Sequence, residues 1–368
     1  MEQTINCRGR SLNDLLLSPF GTFGKRALQC CHKKQSILVN NDKDQYFMKP
    51  VLYMAPIQGI TNCVYRNVYS RLFGGGYDFA VAPFTRNCNA TSTKCKGLRD
   101  IFVQRNSADF ELIPQILSRN AGDFINLAKI MFEMGYKTVN WNLGCPHIRV
   151  RRKKKGSGLL SEPDTVVKIL EEVITAIPYQ ISLKVRLGNE DNNELFKLLP
   201  LLNDFALKKI IIHPRIGSQM YSGVADISAF EKCLSLTRHP VVYNGDIDSV
   251  DTYRRLAERF PTVNMWMIGR GGIVNPFLPE QIKNSTNNAV NNTQERFVEF
   301  HNELFTTYEN ELSGPAHLIA KMKEMWRYWS EAFEGGNRVL HSLSRTKNVN
   351  QYVSMVEKFF CDKPKLLI

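Results

Sequence analysis

The residues NWNLGCPHIRV, Asn140 to Val150, run from an apolar, alternating stretch into a Gly144-Cys145-Pro146 break. This places one cysteine at the lip of a strand, fixed between a Gly and a Pro. A thiol held at that position is a candidate reactive group. Directly behind it come Arg149, Arg151, Arg152, Lys153, Lys154 and Lys155. Such a run either binds a polyanion or is a solvated loop.

Both features need a scaffold. From Val51 a pattern recurs eight times: a short apolar, β-branched run, a polar turn, then a helical period. The runs are 51–57, 79–84, 112–117, 138–144, 181–187, 209–215, 240–246 and 264–270. Continuous apolar runs mark strands buried on both faces of a parallel sheet. Amphipathic stretches lie between them at 123–134, 163–177 and 250–260. Eight such units predict a (β/α)8 TIM barrel. A doubly wound open sheet would normally place a Gly-rich fingerprint after its first strand, and none follows here. The fourth and fifth runs begin at Thr138 and Ile181, farther apart than the others; the surplus is the cysteine loop with its basic run.

Residues 1–47 read as a poorly structured, dispensable extension, with Met48 as the functional start. Residues 48–283 form the barrel, 284–293 an Asn-rich linker, and 294–363 an all-helical C-terminal domain. In the latter, Phe297, Phe300, Leu304, Phe305 and Tyr308 share one face, and helices are predicted over 294–311, 315–333 and 349–360. Lys321, Lys323 and Arg327 fall on its middle helix, and Arg338, Arg345 and Lys347 on its last loop.

The net charge of +13 favours a polyanionic partner. No apolar run is long enough to span a bilayer, so no membrane partner is expected and the chain reads as cytoplasmic. No obligatory protein partner is evident. The nine cysteines lack disulfide or paired zinc spacing; Cys30-Cys31-His32, and Cys88 with Cys95, are weak zinc candidates. No metal site is expected.

In such barrels the site lies at the carboxyl ends of the strands. There the sequence places Pro56, Ile57 and Gln58; Thr85; Gln115; Asn142 with Cys145; Lys184 with Arg186; His213 with Arg215; Asn244, Gly245 and Asp246; and Gly269 with Arg270. Singly, each has a structural explanation. A polar residue at nearly every strand end is harder to dismiss. Glycines and Arg270 after the last two strands suit a phosphate. Lys184, inside an apolar strand, needs a partner, and the pyrimidine edge of a flavin would provide one. Together these fit FMN better than a dinucleotide. A Schiff base on Lys184 would leave Cys145 and the basic run unexplained.

From about Pro50 to Phe360 the chain resembles the tRNA-dihydrouridine synthases. The motifs are APIQGIT (55–61), NWNLGCP with GSGLL (156–160), LKVRLG (183–188), HPRIGSQMYSG (213–223), NGDI (244–247) and GRGGIVNPF (269–277). The Asn-x-Asn-x-Gly-Cys-Pro element followed by GSGLL is the specific one. The resemblance implies an FMN barrel that reduces uridine to dihydrouridine with NADPH (or NADH), and a C-terminal helical domain that binds tRNA. By motif position it implies that the main chain at Pro56 to Gln58 and the Gln115 side chain hold the isoalloxazine. Lys184 would face its pyrimidine edge beside His213, and Asn244 to Asp246 with Gly269 and Arg270 would take ribityl and phosphate groups. Asn142, Arg186 and Arg215 would meet the substrate base or its backbone. Cys145 would be the acid. Apart from the motifs, the charge of the basic run, Arg149, Arg151, Arg152 and Lys153, suits contacts to RNA phosphates. Ile57, Pro214 and Gly158 depart from the family's frequent Met, Gly and Ala, and none removes a functional group. Two rivals remain: an FMN barrel reductase of free pyrimidines, and a flavin-free RNA-binding barrel.

Overall fold

The computed structural model describes residues 49–86, 96–285 and 293–368. The expectations for residues 1–47, for Cys30, Cys31, His32, Cys88 and Cys95, and for most of the Asn-rich stretch lie outside the described residues.

The eight apolar runs form nine strands: β1 (Val51–Met54), β2 (Phe79–Val81), β3 (Glu111–Ile113), β4 (Gln115–Ile116), β5 (Thr138–Leu143), β6 (Gln180–Gly188), β7 (Leu207–Ile216), β8 (Val241–Asn244) and β9 (Met265–Ile268). All pair in parallel, in the order β3-β2-β1-β9-β8-β7-β6-β5-β4. The third run is split because Pro114 has no N–H to donate. Its first half pairs with β2 and its second half with β5. The ring closes across this break, where Thr85 bridges Ile116 and the Thr85 N–H donates to the Gln115 carbonyl (2.7 Å). The fold is a (β/α)8 barrel with a helical C-terminal region.

Strand residues alternate between two cores, as the period of two requires. Leu52, Leu183, Ile210, Ile212 and Trp266 pack outward under the helices. Tyr53, Ala55, Val81, Ile113, Ile211, Val242 and Met267 fill the barrel interior. The same parity carries Ser182, Lys184 and Arg186 along the inner face of β6, and Lys209, Ile211, His213 and Arg215 along that of β7. Lys209 lies at the opposite end of the barrel from the strand tips, its amine 4.9 Å from the ring centres of both Tyr53 and Phe79.

The predicted linking helices form as Ala121–Glu133, Pro163–Ala176 and Val250–Arg259. Pro163 takes the first turn, where its missing N–H costs nothing.

Four helices follow residue 292: Thr293–Glu311, Pro315–Trp329, Gly336–Arg345 and Val349–Cys361. The third was expected as a loop; Arg338 and Arg345 sit on it. Its apolar residues, Val339, Leu340 and Leu343, are too few to stand out in sequence, but they suffice to pack one turn onto a formed core. That core is aromatic: Phe297, Phe300, Tyr308, Trp326, Trp329 and Tyr352 are all buried. Phe300 packs edge-on against Tyr65 and Phe73 of the barrel helix Cys63–Phe73. The described residues from 49 to 368 thereby belong to one compact unit. Among the described residues no helix is long and apolar enough to cross a membrane.

Candidate active site

The inward-facing polar residues meet at the carboxyl ends of the strands. Register sets Asn142 beside Lys184 and Arg186 beside His213. The Lys184 amine donates to Asn244 Oδ1 (2.7 Å), and Asn244 Nδ2 donates to the Met267 carbonyl (2.9 Å). Burial, then the neighbouring Arg186, bring the Lys184 ammonium down to about 7. His213 is held well below its usual range, first by burial and then by Arg186, Lys184, Arg215 and Arg270, so it is neutral at physiological pH. Arg215 Nη1 donates to His213 Nε2 (3.1 Å). A guanidinium only donates, so Nε2 is the bare nitrogen and Nδ1 carries the ring proton.

Asp246 anchors the far side. It adopts a φ of +43° and accepts from Arg215 (2.7 Å) and from the Ala225 N–H (2.8 Å). Arg215 also donates to the carbonyls of Gly223 (2.8 Å) and Ser222 (3.4 Å), and its side chain is 2% exposed. Removing Asp246 would leave the buried Arg215 guanidinium without its counter-charge. Arg215 thus braces the loop after β7 against the loop after β8. Arg186 donates to the Ile216 carbonyl (2.9 Å) and lies 5.3 Å from the ring centre of Tyr221; Arg270 lies 5.1 Å from the same ring. This half-exposed tyrosine, within reach of two guanidiniums, was not singled out by sequence reasoning, although it lies within one of the motifs.

The cysteine loop is held by an amide chain. Gln115 is fully buried; it donates to Asn140 Oδ1 (2.8 Å) and accepts from Asn142 Nδ2 (2.7 Å). Asn142 Oδ1 accepts from the N–H groups of Gly144 (3.1 Å) and Cys145 (2.8 Å). The side chain that ends β5 therefore fixes the direction of the turn carrying the thiol. Burial raises the Cys145 thiol; a hydrogen bond from the His147 backbone and the charges of Arg86, Arg186 and Lys184 oppose this without cancelling it. The thiol stays protonated at neutral pH within electrostatic reach of Lys184.

The basic run divides by environment. Arg151 is tied to Asn189 Oδ1 (2.6 Å) and to Glu190, and Lys154 pairs with Glu162. Arg149, Arg152 and Lys153 are exposed, the first on the short helix Ile148–Arg151 and the others just after it.

A cavity of about 580 Å³ opens at the mouth. Pro56, Ile57, Lys184, His213, Arg215, Asn244, Gly245, Asp246, Gly269 and Arg270 line it. Gln58 is exposed beside it; Gln115, Asn142, Cys145 and Arg186 stand outside its lining. Gly271 allows the helix Arg270–Val274 to abut the loop after β8, since a Cβ there would lie 2.2 Å from the Ile247 carbonyl oxygen. Arg327, Tyr328 and Glu331 from the C-terminal helices also line the cavity. Only Arg327 had been noted in sequence, as one charge of a helix face. Among the described residues no three His, Cys, Asp or Glu side chains gather as metal ligands.

The sequence model for dihydrouridine synthases matches residues 53–361. The chain belongs to the dihydrouridine synthase family. It is therefore an enzyme, an oxidoreductase of that family. It is 30% identical over 237 residues to the tRNA-dihydrouridine synthase B of Pasteurella multocida, spanning 63% of this chain and 69% of that protein. It is 25% identical over 322 residues to the tRNA-dihydrouridine(16) synthase of Neisseria meningitidis serogroup A, spanning 84% of this chain and 95% of that protein. Among solved structures, the histamine dehydrogenase of Rhizobium sp. 4-9 superposes with a TM-score of 0.51 at 12% identity, covering 75% of this chain and 49% of that one. That likeness concerns the barrel fold alone.

In this chain the return of the cysteine loop is tightly packed. Gly156 has a φ of +58°, and a Cβ there would lie 2.8 Å from the Cys145 Cβ and carbonyl oxygen. Gly156→Ala is expected to push Cys145 off its position and lower product formation at least tenfold, while flavin binding stays within about twofold. Single-turnover kinetics beside a flavin titration checks this; equal losses in both would mean general misfolding.

Proposed function

We propose that the protein reduces uridine in tRNA to 5,6-dihydrouridine, using FMN that is re-reduced by NADPH (or NADH). The observation that carries this reading is a proton-bearing thiol at the barrel mouth beside a desolvated lysine facing a cofactor-sized cavity. Family membership and relatives named as tRNA-dihydrouridine synthases support it.

The residues present fit FMN. A cavity of about 580 Å³ is in the range of cofactor sites. Its glycines and Arg270 suit a phosphate, and the Lys184 amine, bonded to a neutral amide oxygen, suits an electron-rich ring edge. The main chain of Pro56 to Gln58 would hold the isoalloxazine, Lys184 and His213 its pyrimidine side, and Asn244 to Asp246 with Gly269 and Arg270 the ribityl and phosphate groups. The expectation that the Gln115 side chain touches the ring is corrected, because that side chain is fully buried and bonded to Asn140 and Asn142. When bound and reduced, the flavin supplies a hydride to carbon 6 of uracil. The remaining work belongs to the chain. Asn142, Arg186 and Arg215 orient the base or the loop around it, and Cys145 delivers the proton to carbon 5 from the opposite face. The thiolate left behind recovers its proton from water.

A uracil stacked in RNA must be extruded to reach this mouth, at a cost of about a few kcal/mol. Phosphate contacts from Arg149, Arg152 and Lys153 offset that cost. Arg151, already committed to Asn189 and Glu190, would serve mainly to hold the arm in place. Replacing Arg149, Arg152 and Lys153 together by Ala is expected to weaken tRNA binding most at low salt. The slope of log affinity against log salt should become shallower by about 2, at ~0.7–0.9 per phosphate lost. An unchanged slope in filter-binding or fluorescence titrations would show that this arm does not touch RNA.

The function itself is tested by incubating the purified protein with FMN, NADPH and unmodified tRNA, then measuring dihydrouridine by mass spectrometry of nucleosides. Turnover of free uracil or uridine without RNA would instead favour a reductase of free pyrimidines.

A further inference from the structure

The helix Pro315–Trp329 touches both sides of the cavity from outside the barrel. On one side the Lys321 amine donates to the Gly59 carbonyl, immediately after Pro56 to Gln58, and pairs with Glu324 (2.7 Å). Its neighbour Tyr308, on the preceding helix, donates from its hydroxyl to Asn62 Oδ1 (2.9 Å). Asn62 is the N-cap of the barrel helix Cys63–Phe73. The loop after β1 is thus gripped at Gly59 and at Asn62. On the other side the helix packs against the short helix Arg270–Val274. There Arg327, Tyr328 and Glu331 line the cavity together with Gly269, Arg270 and Gly271.

We propose that the helix Pro315–Trp329 is a wall of the cofactor site: Lys321 positions the loop that carries the ring, and Arg327 is a second cation at the phosphate end. The proposal rests on the reading of the cavity as an FMN site. Lys321 would otherwise count as one more basic residue on an RNA-facing helix, yet it points inward and is half-buried. Its charge meets the carbonyl of the residue that directly follows Pro56 to Gln58. Arg327 is exposed on the side facing the cavity, so its contribution to an anion is that of a partly screened pair. Glu331 on the same wall acts on that anion with the opposite sign.

The test titrates the full chain, stripped of flavin, with FMN and separately with riboflavin, following the quenching of flavin fluorescence. Arg327→Ala is expected to weaken FMN on the order of fivefold and riboflavin hardly at all, because riboflavin lacks the phosphate. Glu331→Gln should tighten FMN. Lys321→Met should weaken FMN and riboflavin alike, and Lys321→Arg should recover most of the loss. If Lys321→Met does not fold, the exposed Arg327 still decides the matter. Wild-type binding of FMN with Arg327→Ala unchanged, or with FMN and riboflavin weakened equally, would overturn the proposed wall and leave the flavin reading standing. A wild-type chain that binds neither flavin would overturn that reading, and the wall with it.

Discussion

Cys145→Ala is expected to keep its flavin, to accept electrons from NADPH at the wild-type rate, and to form dihydrouridine 100- to 10,000-fold more slowly. That range is the usual contribution of a positioned proton donor. The separation follows from the geometry. Cys145 is outside the lining of the cavity, so its removal leaves the cofactor's contacts in place. It hangs on Asn142 Oδ1, which also holds the Gly144 N–H, so the turn survives loss of the thiol. Because burial keeps the thiol protonated beyond its ordinary range, wild-type product formation should hold level through neutral pH and decline only in alkaline solution. Cys145→Ser should not rescue, since a hydroxyl releases its proton far less readily. Rapid-reaction traces of flavin reduction and of flavin reoxidation by tRNA would check both halves. A Cys145→Ala variant that reoxidises at the wild-type rate would remove the thiol from the reaction.

Lys184→Met carries the second large effect, and it has two opposite signs. In the flavin-free protein the folded-state pKa of Lys184 is about 7, against 10.5 for an unperturbed lysine. Between those values the unfolded chain holds a proton that the folded chain lacks. Stability of the flavin-free protein therefore rises with pH across that window, and the charged amine is most costly below pH 7. Removing the amine should raise the melting temperature of the flavin-free protein at neutral pH. Flavin binding behaves oppositely. An electron-rich ring edge favours the ammonium, so binding above pH 7 takes up a proton and the affinity falls as pH rises, by up to about tenfold per unit. Lys184→Met should weaken FMN by about 10- to 100-fold at pH 7, the worth of a charge-assisted hydrogen bond, and flatten the pH dependence. Calorimetric melting of the flavin-free chain and FMN titrations from pH 6 to 9 are the measurements. A variant whose flavin affinity matches wild type would place the ring edge elsewhere.

The eight-unit barrel was legible in sequence because strands buried on both faces must be continuously apolar. Against that background Asn142, Lys184, His213 and Asn244 stand out. Their period of two then assigns them to one inner face, and register brings them together. The cysteine loop was legible for a similar reason: Gly144 and Pro146 interrupt a strand, and the long interval before β6 has to be a loop.

What remained hidden were relations between distant parts of the chain. The split at Pro114 was visible as a residue but not as the seam where the barrel closes, because that depends on Thr85 meeting Ile116. The basic run looked uniform, yet Arg151 is consumed by Asn189 and Glu190 while Arg149 and Arg152 face solvent; formal charge carries no information about partners. Tyr221 falls within a motif without standing out from it, and Tyr328 and Glu331 carry no local signal for the site at all. Patterning of apolar and polar residues decided which elements form and which side chains point inward, because these depend on neighbours a few positions away. Only the packed structure decided that a helix beginning at Pro315 completes a cavity opened by strands that end before residue 270, because that contact joins surfaces whose positions no local rule relates.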